Sequence, residues 1–130
     1  MPSLRYIRIR MNKIIIYYKK GCSKCKAAMD ILEGESCEIE VREYLKKKPS
    51  KKELKVLLAK LGISAFELVR KKEPLFIKKF LNKKFSEAEW LQIVFEHPEL
   101  MERPIIIDGY KAIIGRPPEL IIDLLNRKKK

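Results

Sequence analysis

The stretch that most limits what this chain can become is Tyr17-Tyr18-Lys19-Lys20-Gly21-Cys22-Ser23-Lys24-Cys25-Lys26. It places a Cys-x-x-Cys pair where a strand ends and a helix begins. The preceding run, Lys13 to Tyr18, is β-branched and aromatic and reads as a buried strand. The following run, Cys25 to Glu33, puts Ala28, Met29, Ile31 and Leu32 on one helical face. Unpaired N–H groups at a helix start, and the positive end of its dipole, stabilise a thiolate. Lys19, Lys20, Lys24 and Lys26 add positive charge nearby. Cys22, the first and more exposed thiol, is therefore the candidate nucleophile.

Two other uses of the pair compete with redox chemistry. Zinc would have to be held by Cys22, Cys25, Cys37 and His97, whose separations match neither a ribbon nor a finger, so no metal site is expected. A structurally inert pair conflicts with the electropositive, accessible setting that marks a reactive cysteine. Cys37, in phase with Ile39 and Val41, reads as a small buried hydrophobe.

At 130 residues the chain is long enough for one domain with a single core. Thirty Lys+Arg against seventeen Asp+Glu leave a net charge of +13, which permits acidic or nucleic-acid partners. No aromatic-and-basic RNA-binding signature accompanies it. The richness in Lys and Glu also fits a thermophile's surface. Three cysteines without a signal peptide or a long apolar run point to the cytoplasm and away from a membrane.

In chain order, residues 1–12 read as a flexible basic arm, with an alternative start or a short edge-strand extension over Tyr6 to Arg10 as the other readings, and residues 13–125 as the folded domain. Gly34-Glu35-Ser36 breaks the first helix, and Cys37 to Tyr44 alternates as a half-buried strand. A strand, a helix and a strand joined this way form a parallel βαβ unit. Ser50 with Glu53 caps a helix from Lys51 to Lys60, which Gly62 stops. Ser64 caps a second short helix, Pro74 interrupts before a turn or two over Leu75 to Phe80, and Ser86 caps a helix carrying Trp90 and Val94. The region from about 50 to 98 is thus an all-helical insertion. Ile105-Ile106-Ile107 begins a hairpin with Asp108-Gly109 at its turn and Tyr110 to Ile114 returning. Pro117-Pro118 opens a last helix from Glu119 to Leu125, and residues 126–130 form a basic tail. The expected fold is α/β: a thioredoxin-like mixed four-stranded sheet, βαβ then ββα, with the helical block inserted.

Cys22-Ser23-Lys24-Cys25-Lys26-Ala27, Gly62-Ile63-Ser64, Leu68-Val69-Arg70-Lys71, His97-Pro98, Arg103-Pro104-Ile105 and Ile114-Gly115-Arg116-Pro117 together resemble the glutaredoxin-coupled arsenate reductase family. The thiol-stress regulator Spx belongs to the same superfamily. The resemblance implies that Cys22 attacks a bound oxyanion held by Arg70, Arg103 and Arg116. The residues point the same way independently: Lys is this chain's routine surface cation, and Arg supplies a planar fork suited to an oxyanion. Pro104 matches the place where thioredoxin folds put a cis-proline facing the thiols.

Two departures matter. Tyr18-Lys19-Lys20 stands where the reductases carry a histidine–asparagine–proline lead-in, and Cys25 is absent from the reductases but present in Spx. The expected function is a thiol-dependent oxidoreductase that reduces an oxyanion or a disulfide through Cys22, with Cys25 as resolving thiol. It needs no bound cofactor, only an external thiol donor such as glutathione with glutaredoxin, or thioredoxin. The alternatives are an Spx-like redox sensor that binds RNA polymerase, and a basic nucleic-acid module, which a steep salt dependence would reveal.

Overall fold

The computed structural model describes residues 13–35 and 37–126. The basic arm at 1–12 and residues 127–130 of the tail lie outside the described residues. The chain divides into two compact units, one made of residues up to Glu43 and from Arg103 onward, the other of Tyr44–Glu102.

The first unit holds the sheet. Strands β1 (Lys13–Tyr17), β2 (Glu38–Arg42), β3 (Ile105–Asp108) and β4 (Lys111–Ile114) lie in the order β2-β1-β3-β4. β1 runs parallel to β2, with Ile14 opposite Ile39, and antiparallel to β3, with Ile16 opposite Ile106. β3 and β4 form an antiparallel hairpin. This is the mixed sheet that the βαβ and ββα patterns predict. The parallel pair needs a crossover, and helix α1 (Ser23–Glu33) supplies it.

One face of the sheet carries Ile14, Ile16 and Ile106. They pack with Ala28 and Leu32 of α1 and with Ile121 and Leu124 of the last helix. The alternation along β1, set by the two-residue period of a strand, selects these isoleucines for that face. Burying a side chain of this size is worth about 1.5–3 kcal/mol. The cluster therefore fixes α1 against the sheet, and with it the helix end that carries Cys22.

β2 is shorter than the alternation over residues 37–44 predicts, and Val41 is 46% exposed. Its position at the sheet edge explains this: Cys37 and Ile39 pack against the core cluster, while Val41 does not. Tyr44 leaves the strand altogether and is buried in the other unit. The hairpin turn sits one residue later than Asp108-Gly109. Asp108 pairs with Lys111 as the last strand residue, and Gly109-Tyr110 make the turn. The final helix extends through Asn126 rather than stopping at Leu125.

The second unit is helical, with helices α2 (Lys51–Leu61), α3 (Ala65–Leu68), α4 (Pro74–Lys79) and α5 (Glu87–Glu96), then a 3-10 turn at Pro98–Leu100. Serine caps set three of the starts. The Ser50 hydroxyl accepts from the Glu53 N–H, while Ser64 with Glu67 and Ser86 with Glu89 form full capping boxes. Pro74 opens α4 instead of interrupting, because its missing N–H is unneeded in a first turn. Trp90 anchors this unit's core, with the Phe66 and Phe85 rings each 5.0 Å from its own. The last helix of the chain, α6 (Glu119–Asn126), belongs to the first unit. Among the described residues no helix is long and apolar enough to cross a membrane.

Candidate active site

β1 ends at Tyr17, and a tight turn carries the chain into α1. The Cys22 N–H bonds the Lys19 carbonyl at 3.2 Å, with Gly21 at φ +85° inside the turn. Glycine adopts that left-handed conformation without steric cost, whereas a side chain there is strained. The turn delivers Cys22 to the N-cap position of α1 in an extended conformation, φ −88° and ψ 118°. No side-chain hydroxyl or carboxylate caps this helix. Its first N–H groups therefore face the Cys22 sulfur.

Burial alone pushes the Cys22 thiol up. Hydrogen bonds outweigh it: from the Cys25 N–H, from the Cys25 thiol, from the Arg103 guanidinium and from the Lys24 N–H. The balance lowers Cys22 to about 7. Cys25 moves the other way, to about 11, because burial disfavours its anion and its neutral thiol donates a hydrogen bond to the Cys22 sulfur. Cys25 is fully buried, whereas Cys22 is half-exposed. One thiol is thus poised as an anion and its neighbour held as an acid.

The lysines expected to add to this effect do not. The side chains of Lys19, Lys20, Lys24 and Lys26 are exposed, and Lys26 pairs with Asp30 at 3.5 Å. Solvent screens such charges. The cation that acts on Cys22 is Arg103, only 8% exposed.

Arg103 and Arg116 come together in the same unit as the thiols. Arg116 Nε donates to the Arg103 carbonyl oxygen at 2.6 Å. Gly115 donates to the Pro104 carbonyl at 2.8 Å, tying the end of β4 to the start of β3. The Arg103–Pro104 bond is cis, and so is Arg116–Pro117, which sequence gave no reason to expect. Gly115 is a close-approach position: an added Cβ would lie 3.3 Å from Pro104 Cγ and 3.4 Å from Ile121 Cδ1.

Arg70 belongs to the helical unit. There its Nη1 lies 3.2 Å from Glu73 Oε2, and its Nε lies 4.0 Å from Glu102 Oε1. The backbone holds the trio together: Val69 bridges Met101, and the Glu102 N–H bonds the Leu68 carbonyl. Sequence reasoning missed both glutamates, whose only signal was the Arg70/Glu73 spacing. Cys37 sits at the far end of α1, its thiol 3.7 Å from the Leu32 carbonyl. Among the described residues no three of the His, Cys, Asp and Glu side chains gather as a metal site.

A mixed β2-β1-β3-β4 sheet with a cysteine at the N-terminus of the first helix defines a thioredoxin-like α/β protein. The ArsC family profile matches residues 17–124, and the chain belongs to that family. An arsenate reductase of Haemophilus influenzae is 39% identical over 114 residues, covering 86% of this chain and 98% of that protein. One of Neisseria meningitidis serogroup A is 38% identical over 113 residues, covering 85% and 97%. The solved arsenate reductase from Vibrio cholerae superposes with a TM-score of 0.81 at 33% identity, covering 87% of this chain and 98% of that one.

Proposed function

We propose that the protein reduces arsenate, or a closely similar oxyanion, through Cys22 and Cys25 at the expense of an external thiol donor. The observation that carries this is the polarised thiol pair. A half-exposed Cys22 lowered to about 7 accepts a hydrogen bond from a buried Cys25 raised to about 11. Membership of the ArsC family and the similarity to arsenate reductases support the choice of substrate.

In the first step the Cys22 thiolate attacks arsenic. An As–O bond breaks as an S–As bond forms, and the departing oxygen leaves as water after taking up two protons. Arg103, with Arg116 bonded to its carbonyl, supplies fixed positive charge for the anion. In the second step the Cys25 sulfur attacks the Cys22 sulfur. The S–S bond forms, the S–As electron pair passes to arsenic, and arsenic falls from the pentavalent to the trivalent state. The sum is arsenate plus two thiols giving arsenite, one disulfide and water. Glutathione with glutaredoxin, or thioredoxin, then reduces the Cys22–Cys25 disulfide.

Steady-state reduction of arsenate with each donor tests the proposal. Arsenite release dependent on Cys22 and on a donor supports it. Absence of turnover with both donors, together with RNA polymerase binding on oxidation, would place the protein with the Spx-like regulators instead.

A further inference from the structure

The reduced thiol pair has a second chemical capacity that does not depend on electron transfer. Cys22 is the N-cap of α1 and Cys25 its third residue, the two positions that face each other in a capping box. The Cys25 thiol donates toward the Cys22 sulfur, so the two thiols face each other. Soft thiolate ligands select soft, thiophilic centres. Arsenite, the product of the reaction proposed above, is one.

We infer that the reduced Cys22–Cys25 pair is a chelating site for trivalent arsenic, which it holds through two sulfurs and one remaining hydroxyl. The inference deepens the functional reading above, since the ligand is that reaction's product. The binding step is a condensation without redox change. Arsenous acid reacts with the two thiols, two S–H and two As–O bonds break, and two As–S bonds and two O–H bonds form. Two waters leave and arsenic stays trivalent.

The geometry also says why the site has two sulfurs and not three. Cys37 touches the Leu32 carbonyl at the opposite end of α1. At roughly 1.5 Å of rise per residue, that turn lies about 10 Å along the helix from Cys25. The third position on arsenic therefore keeps its oxygen, and the Arg103 guanidinium beside Cys22 is placed to donate to it. Half-exposed Cys22 meets the ligand first, and buried Cys25 closes the ring. Closure occurs within one molecule, so the pair should hold arsenic at least about a hundredfold more tightly than Cys22 alone. The disulfide left by turnover cannot bind arsenic, so capture follows its reduction by the donor, and arsenite then occupies the restored pair until an external thiol displaces it.

The test is titration of the reduced protein with arsenous acid, read by intact mass and by the reactivity of each cysteine toward a thiol reagent. One arsenic should bind with Cys22 and Cys25 protected and Cys37 still reactive. Cys25→Ala should bind at least about a hundredfold more weakly, and Cys37→Ser should bind like the parent. Cys25→Ser, read by the same assay, guards against a packing defect in the alanine variant. Equal affinity in the parent and both Cys25 variants, or protection of Cys37, would overturn the inference. Arsenate turnover is measured on the same preparation. Turnover without capture overturns the chelating site and leaves the reductase standing. Capture without turnover overturns the reductase and leaves the chelating site.

Discussion

Arg116 Nε holds the carbonyl oxygen of Arg103 at 2.6 Å, so one arginine fixes the backbone that aims the other. The aimed guanidinium is nearly buried and hydrogen-bonds the Cys22 sulfur. Two residues far apart in sequence thus act on one thiol, the second through the first.

That relationship sets the pH behaviour of the site. Cys22 is an acid whose folded value is lowered to about 7, so the fold favours its anion. The resulting stabilisation is present at alkaline pH and is lost as pH falls through about 7. Cys25 is raised to about 11, so the fold favours its neutral form, and that contribution is lost only as pH rises through about 11. Iodoacetamide labelling resolved by peptide should show Cys22 half-labelled near pH 7, with Cys25 inert until far higher pH. In Arg103→Ala the Cys22 midpoint should climb toward the free-thiol value, about 8.5. A parent midpoint already at that value would remove the case for a poised thiolate.

Oxyanion affinity should separate the three arginines. Loss of a charge-assisted contact costs roughly 1.5–3 kcal/mol. Arg103→Ala and Arg116→Ala should therefore weaken arsenate, phosphate or sulfate binding by about tenfold to a hundredfold. Arg70 already faces Glu73 and Glu102, so Arg70→Ala should change anion binding less than Arg103→Ala does. Calorimetric titration decides. A larger loss in Arg70→Ala than in Arg103→Ala would show that its pairing with the glutamates yields to the anion.

Gly115 is where packing and chemistry meet. A methyl group there would press on Pro104 Cγ and on buried Ile121. Overpacking of this kind costs typically about 1–3 kcal/mol. Gly115→Ala should lower the denaturation midpoint by a matching amount and, by shifting Pro104, raise the Cys22 labelling midpoint. A variant as stable as the parent would mean that the Pro104 ring and Ile121 yield freely.

Much of this site was legible in the residues. The β-branched run before Cys22 and the apolar face after it fix a strand-to-helix junction, and the junction fixes a thiol at a helix start. The serine caps at Ser50, Ser64 and Ser86 mark their helices because a hydroxyl at that position satisfies an otherwise unpaired N–H. Other features depend on tertiary placement. The exposure of Val41 follows from β2 being an edge strand, which alternation along one segment does not reveal. The helix-start N–H groups do act on Cys22 as the junction implies, but the cation beside it was misassigned for a similar reason. Four lysines adjacent in sequence point into solvent, while Arg103, remote in sequence, is buried beside the sulfur. The carboxylates on Arg70 were missed because Glu102 reaches it only across the Val69–Met101 bridge.

The central claim is that Cys22 and Cys25 together carry the two electrons that reduce arsenic. Its most direct measurement is a single turnover: fully reduced protein, free of other thiols, mixed with arsenate, with arsenite quantified and disulfides mapped by non-reducing peptide mass analysis. The account predicts one arsenite for each Cys22–Cys25 disulfide formed, Cys37 remaining a free thiol, and no arsenite from Cys25→Ser until glutathione is added. Arsenite formed in parent and Cys25→Ser alike without added thiol, or accompanied by a Cys22–Cys37 bridge, would contradict it.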